Sequence, residues 1–90
     1  MYTLRFTHKA LKQIPFVKRV GLGDKVNELL AVIEQNPFQT PPFYEKLNGK
    51  LDGKYSRRIN IQHRLVYDVN EDLKQIKIIS MWSHYEDTEN

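Results

Sequence analysis

At Asn36-Pro37 the apolar pattern of this chain changes period, and that change constrains the fold more than any composition figure. Before it, Val26, Leu29, Leu30 and Ile33 recur at the spacing of one helix face. After it come three short runs rich in β-branched and aromatic residues, at about 55–61, 63–69 and 75–83, with a turn at Asn70-Glu71-Asp72. A helix stripe and a strand face each need a partner to bury against, so a helical layer must lie on a sheet.

The N-terminal part extends this reading. Tyr2, Leu4 and Phe6 alternate with Thr3, Arg5 and Thr7, a strand with one apolar face. Thr7 stands where it can cap a helix carrying Ala10, Leu11, Ile14 and Val17. Pro15 has no amide hydrogen and disfavours helical geometry at Ile14, so a kink or break is expected there. Gly21 and Gly23 stop that helix, and Asp24 is the expected cap of the second. Residues 37–54 read as loop, with turn chemistry at Pro41-Pro42, Asn48-Gly49 and Asp52-Gly53, and Glu45 falls inside it. The expected fold class is α+β, in the order β-α-α-β-β-β, with a largely antiparallel sheet and both helices on one face. Residues 1–90 read as a single domain, with 86–90 a flexible acidic tail.

Charge is segregated along the chain. Residues 1–20 hold Arg5, Lys9, Lys12, Lys18 and Arg19 and no acid, and residues 46–64 hold Lys46, Lys50, Lys54, Arg57, Arg58 and Arg64 against Asp52 alone. A folded surface can present these as a basic face that attracts polyanions, and arginines interleaved with aromatic residues suit a phosphate backbone. The chain has no cysteine, which fits a reducing cytosol, and its three histidines lack acidic partners at ligand spacing, so no metal or cofactor is expected. No apolar run approaches a membrane span, and a cytoplasmic protein is expected.

Ser56-Arg57-Arg58-Ile59-Asn60, then His63-Arg64-Leu65-Val66-Tyr67, then a closing His84-Tyr85 form a pattern that resembles the Txe/YoeB toxins of the RelE superfamily. Asn27-Glu28-Leu29-Leu30, Pro37-Phe38 and Glu45 add to the likeness. The resemblance implies a RelE-like fold and a ribosome-dependent endoribonuclease acting on mRNA. It also implies a Phd/YefM-like antitoxin partner that holds the toxin inactive, and it is compatible with a homodimer.

Cutting RNA without a metal needs a base for the 2′-hydroxyl proton, a cation for the phosphorane and an acid for the leaving 5′-oxygen. Glu45 suits the first task, Arg64 the second and His84 the third; Tyr85 would orient or stack the substrate base. Arg58 matches the second arginine of the family's S-R-R and is expected to hold phosphate, with Arg57, Lys46, Lys50 and Lys54 as further RNA contacts. Strand alternation turns Arg57 away from Arg58. Asn48 stands where the family usually has a lysine, and Lys46 or Lys50 is the expected substitute. Two rivals share the fold: a toxin that poisons its target by binding alone, as gyrase-poisoning relatives do, and a degenerate toxin that serves only as antitoxin partner and co-repressor. As structural alternatives, Arg64 pairs with Asp68, Trp82 packs in the core, His8 and His63 are structural or exposed, and Tyr55 and Tyr67 pack with hydroxyls at the rim.

Overall fold

The computed structural model describes residues 1–82. Along the chain run β1 (Thr3–Phe6), α1 (His8–Arg19), α2 (Gly23–Gln35), β2 (Tyr44–Lys46), a 3-10 turn (Gly49–Leu51), β3 (Lys54–Arg58), β4 (Arg64–Asn70) and β5 (Gln75–Ser80). The strands make one five-stranded sheet in the order β1-β5-β4-β3-β2. Only β1 with β5 is parallel; the other neighbours are antiparallel. The α+β class with two helices on a largely antiparallel sheet therefore holds, and β2 adds a short strand inside the segment expected to be loop.

Three local expectations change. The helix α1 runs through Pro15 unbroken. Pro15 and Leu11 both face solvent, so the Leu11 carbonyl that loses its donor stays open to water. Its start is as expected, with Thr7 Oγ1 accepting from the Ala10 amide at 3.1 Å. Gly21 ends it with φ of 77°: its amide donates to the Lys18 carbonyl and the Leu22 amide to Val17, the paired bonds of a glycine-terminated helix. The second change concerns Asp24, which lies inside the first turn of α2, because Leu22 is the cap and makes no side-chain capping bond. There the carboxylate still opposes the positive end of the helix. The third is that β3 ends at Arg58, short of the Ile61 its composition suggests, since Ile59 to His63 forms a turn between β3 and β4.

Both helices cover one face of the sheet. Ala10, Val17, Val26, Leu29 and Ile33 meet Leu65, Tyr67, Ile76 and Ile78 in one buried cluster. Each valine, leucine and isoleucine among them contributes about 1.5–3 kcal/mol by leaving water. The opposite face is covered only in part, where Leu47 and Leu51 fold over Val66 beside Ile79. Alternation along β4 explains the division, because Leu65 and Tyr67 face the helices while Arg64, Val66 and Asp68 face the open side.

Candidate functional site

The open face carries the charged residues of β2, β3 and β4 in rows. Glu45 pairs with Ser56, Ser56 with Val66, and Val66 with Ser80. One step along the sheet, Arg58 pairs directly with Arg64. A cleft of about 420 Å³ opens over these rows, lined by Lys25, Pro42, Phe43, Glu45, Ser56, Arg58 and Arg64. The structure thus brings Glu45, Arg58 and Arg64 to one cavity. His84 and Tyr85 lie outside the described residues, as does the acidic tail.

Each of the three is positioned by a different device. Glu45 belongs to β2, held by its pairing to β3, and its carboxylate is exposed. Arg58 is the last residue of β3 and is exposed. Arg64 opens β4 and is half-buried, its Nη1 donating to the Asn60 carbonyl at 2.9 Å and the His63 carbonyl at 3.3 Å. Among the described residues Nε and Nη2 are left as donors for an anion in the cleft. Arg64 does not pair with Asp68: that carboxylate sits 3.9 Å from Lys54 Nζ. The turn that sets Arg58 opposite Arg64 is tied by Asn60, whose Oδ1 accepts from the amides of Gln62 and His63 at 2.9 and 2.7 Å.

Arg57 is the clearest departure from expectation. Expected to touch RNA, it is 1% exposed. Its Nε donates to Tyr67 Oη at 3.1 Å, Nη1 to the Pro42 carbonyl at 2.7 Å, and Nη2 to the carbonyls of Pro37 and Gln39 at 3.0 and 2.9 Å. The ring of Tyr44 lies 5.0 Å from the guanidinium carbon. Four of its five N–H donors are thus engaged within the protein, and burial closes the cation to phosphate. It pins the 37–42 segment onto the sheet, and Tyr67 joins in by donating to the Pro37 carbonyl at 2.7 Å. Burial pushes the Tyr67 phenol up, with Arg57 opposing, and its hydroxyl points to the interior where the rim was expected.

The lysines divide. Lys46 alternates away from Glu45 along β2, so it belongs to the other face. Lys50 rides exposed on the 3-10 turn whose Leu51 lies over Val66, on the same side as the cleft. Lys54 is half-buried beside Asp68. Sequence reasoning missed Lys25 and Phe43. Phe43 alternates with Glu45 and would have been placed with it had β2 been recognised; nothing local marks Lys25.

Two histidines behave as structural residues do. His8 is exposed, whereas His63 is 5% exposed and stacks on Trp82 with centroids 4.1 Å apart and planes 17° from parallel. Phe16 extends the stack at 5.6 Å from Trp82. Trp82 is half-buried and joins the core only along its border. Burial lowers the His63 pKa, which favours the neutral ring, and Nδ1 has no hydrogen-bond partner among the described residues. A hollow of about 500 Å³ lies farther along the sheet, between Arg5, Asp68 and Lys77. Its acid is shared with Lys54 and it holds no arginine pair, so the cleft at Glu45 is the better candidate.

Known proteins resemble this chain along most of its length. The family described as YoeB-like toxin of bacterial type II toxin-antitoxin system matches residues 6–85. Toxin YoeB of Streptomyces coelicolor is 41% identical over 61 residues, which cover 68% of this chain and 70% of the relative. The YoeB-YefM complex from Staphylococcus aureus contains a chain that superposes with a TM-score of 0.78 at 36% identity, covering 94% of this chain and 99% of that one. A YoeB dimer from the same organism matches with a TM-score of 0.78 at 37% identity, covering 93% and 98%.

Proposed function

Because the chain belongs to the YoeB-like toxins of bacterial type II toxin-antitoxin systems, we propose that it is an endoribonuclease that cuts messenger RNA on the ribosome. The observation that carries this reading is the cleft that Glu45 lines together with the cross-strand pair Arg58 and Arg64. Glu45 takes the proton from a 2′-hydroxyl, and the freed oxygen attacks the adjacent phosphorus. Arg64, with Arg58 beside it, holds the charge that grows on the phosphoryl oxygens. The bond from phosphorus to the 5′-oxygen breaks as His84 protonates that oxygen, leaving a 2′,3′-cyclic phosphate and a 5′-hydroxyl. Tyr85 orients the base. Lys50, on the cleft side of the sheet, takes the place of the family lysine at Asn48 better than Lys46, which faces away.

The proposed partner is a YefM-like antitoxin whose acidic segment lies over the basic face and mimics the RNA it excludes. The complex known for the Staphylococcus aureus relative supports this, and the dimer known there supports self-association of this chain. Two other readings share the fold: a toxin that binds its target without cutting, and a degenerate toxin that serves only as antitoxin partner, which the absence of the family's usual lysine at Asn48 favours. Cell-free translation separates them. Wild-type protein should produce breaks in register with codons, mapped by primer extension, and Glu45→Gln and His84→Ala should produce almost none. Translation arrest that persists in both variants without breaks would establish the binding reading instead.

A further inference from the structure

Among the described residues seven large apolar side chains are well exposed, and isolated examples need no explanation. Phe43 is different. It is 77% exposed and lines the cleft with Glu45, Arg58 and Arg64. Tyr44 pairs with Arg57, so continuing that register by one residue sets Phe43 opposite Arg58, which itself pairs with Arg64. Phe43, Arg58 and Arg64 thus fall in one row of the register and line one cleft. Ile61 is more exposed, at 86%, but it does not line the cleft and has no π-face.

Two further facts mark the ring as kept for a ligand. Its aromatic neighbours in sequence pair among themselves: Phe38 with Tyr55 at 5.3 Å, and Tyr44 with Tyr55 at 5.8 Å. Phe43 makes no aromatic pair among the described residues. Its backbone is nevertheless fixed on both sides, because the Pro42 carbonyl accepts from Arg57 at 2.7 Å and Tyr44 is paired in β2. An exposed ring on a pinned backbone loses little freedom when something settles on it.

We infer that Phe43 is the stacking platform for a base of single-stranded RNA whose phosphate lies on Arg58 and Arg64. The inference rests on the nuclease reading and adds a base-binding residue to it. A nucleotide presents a flat π-face joined to an anion, and the cleft offers a flat π-face together with two cations. Every base can stack, so the platform tolerates sequence, with the larger purine faces favoured.

Cleavage efficiency in a reconstituted translation system, measured for wild type, Phe43→Leu, Phe43→Trp and Glu45→Gln, tests the inference. Phe43→Leu keeps apolar area and loses the π-face, so efficiency should fall about tenfold, within the range that a stacked base contributes. Phe43→Trp should stay within about twofold of wild type. Melting temperatures of both should match wild type, because the side chain is outside the core, and Leu73→Ser, at the far turn, should cut normally. Phe43→Leu cutting as wild type while Glu45→Gln cuts nothing would overturn the inference and leave the nuclease standing. The same follows if Phe43→Leu cuts normally and instead loses its grip on the antitoxin, since the ring would then anchor a protein. Wild-type protein that cuts no RNA overturns the nuclease and the platform together.

Discussion

Arg57 and Arg58 are neighbours of identical chemistry, and the sheet gives them opposite lives. Arg57 turns to the helix side, where three carbonyls and a phenol surround it. Arg58 turns to the open side and lines a cleft. What separates them is the period of two along β3. In this strand the basic dipeptide is therefore one buried cation and one cation open to a ligand, and which is which depends on where the helices lie.

The sharpest way to break that contrast is to replace each cation. Arg57→Leu strands the Pro37, Gln39 and Pro42 carbonyls and the Tyr67 hydroxyl indoors. It should cost about 3–5 kcal/mol of unfolding free energy, on the scale of a buried charge network broken on one side; denaturant melts read this directly. A wild-type midpoint would mean that Arg57 is no strut. Arg64→Ala should leave the melt nearly unchanged yet lower the cleavage rate by about 10²- to 10³-fold, the usual loss when a charge stabiliser is removed. If Arg64→Ala cut normally, the cleft would lose its claim as the phosphate site.

A third test concerns His63, another buried polar group. Burial lowers its pKa, so the folded protein binds a proton less readily than the unfolded chain, whose imidazole titrates near about 6.5. Its neutral form is favoured above that pH, and stability should fall as pH drops below it. His63→Phe keeps a ring for Trp82 and removes the titration, so its melting temperature should decline less than wild type between about pH 7 and 5. Parallel curves would sink the claim. The smallest effect belongs to the open side: Asp68→Asn weakens a half-exposed contact with Lys54 and should shift stability by no more than about 0.5 kcal/mol.

Legibility in the sequence follows the same division. The helices, β1 and the three later strands announce themselves, because each buries one face and so carries a period. β2 does not: Tyr44–Lys46 is too short to show alternation, and it is a strand only because β3 lies alongside to pair with it. Placing Glu45 in a loop and overlooking Phe43 were one error. Arg57 was legible as turned away from Arg58, but its burial depends on the 37–42 segment returning over it, a contact across 15 to 20 residues that no local pattern encodes. The Phe16–Trp82–His63 stack is hidden for the same reason, since it joins α1, the β3–β4 turn and the end of β5.

The Asn60 turn has one more consequence. By tying its own amides and the Arg64 side chain together, it sets two arginines opposite each other in the sheet before any ligand arrives. Like charges paired directly across neighbouring strands are unfavourable, so an anion that bridged the two would offset a cost the fold itself imposes.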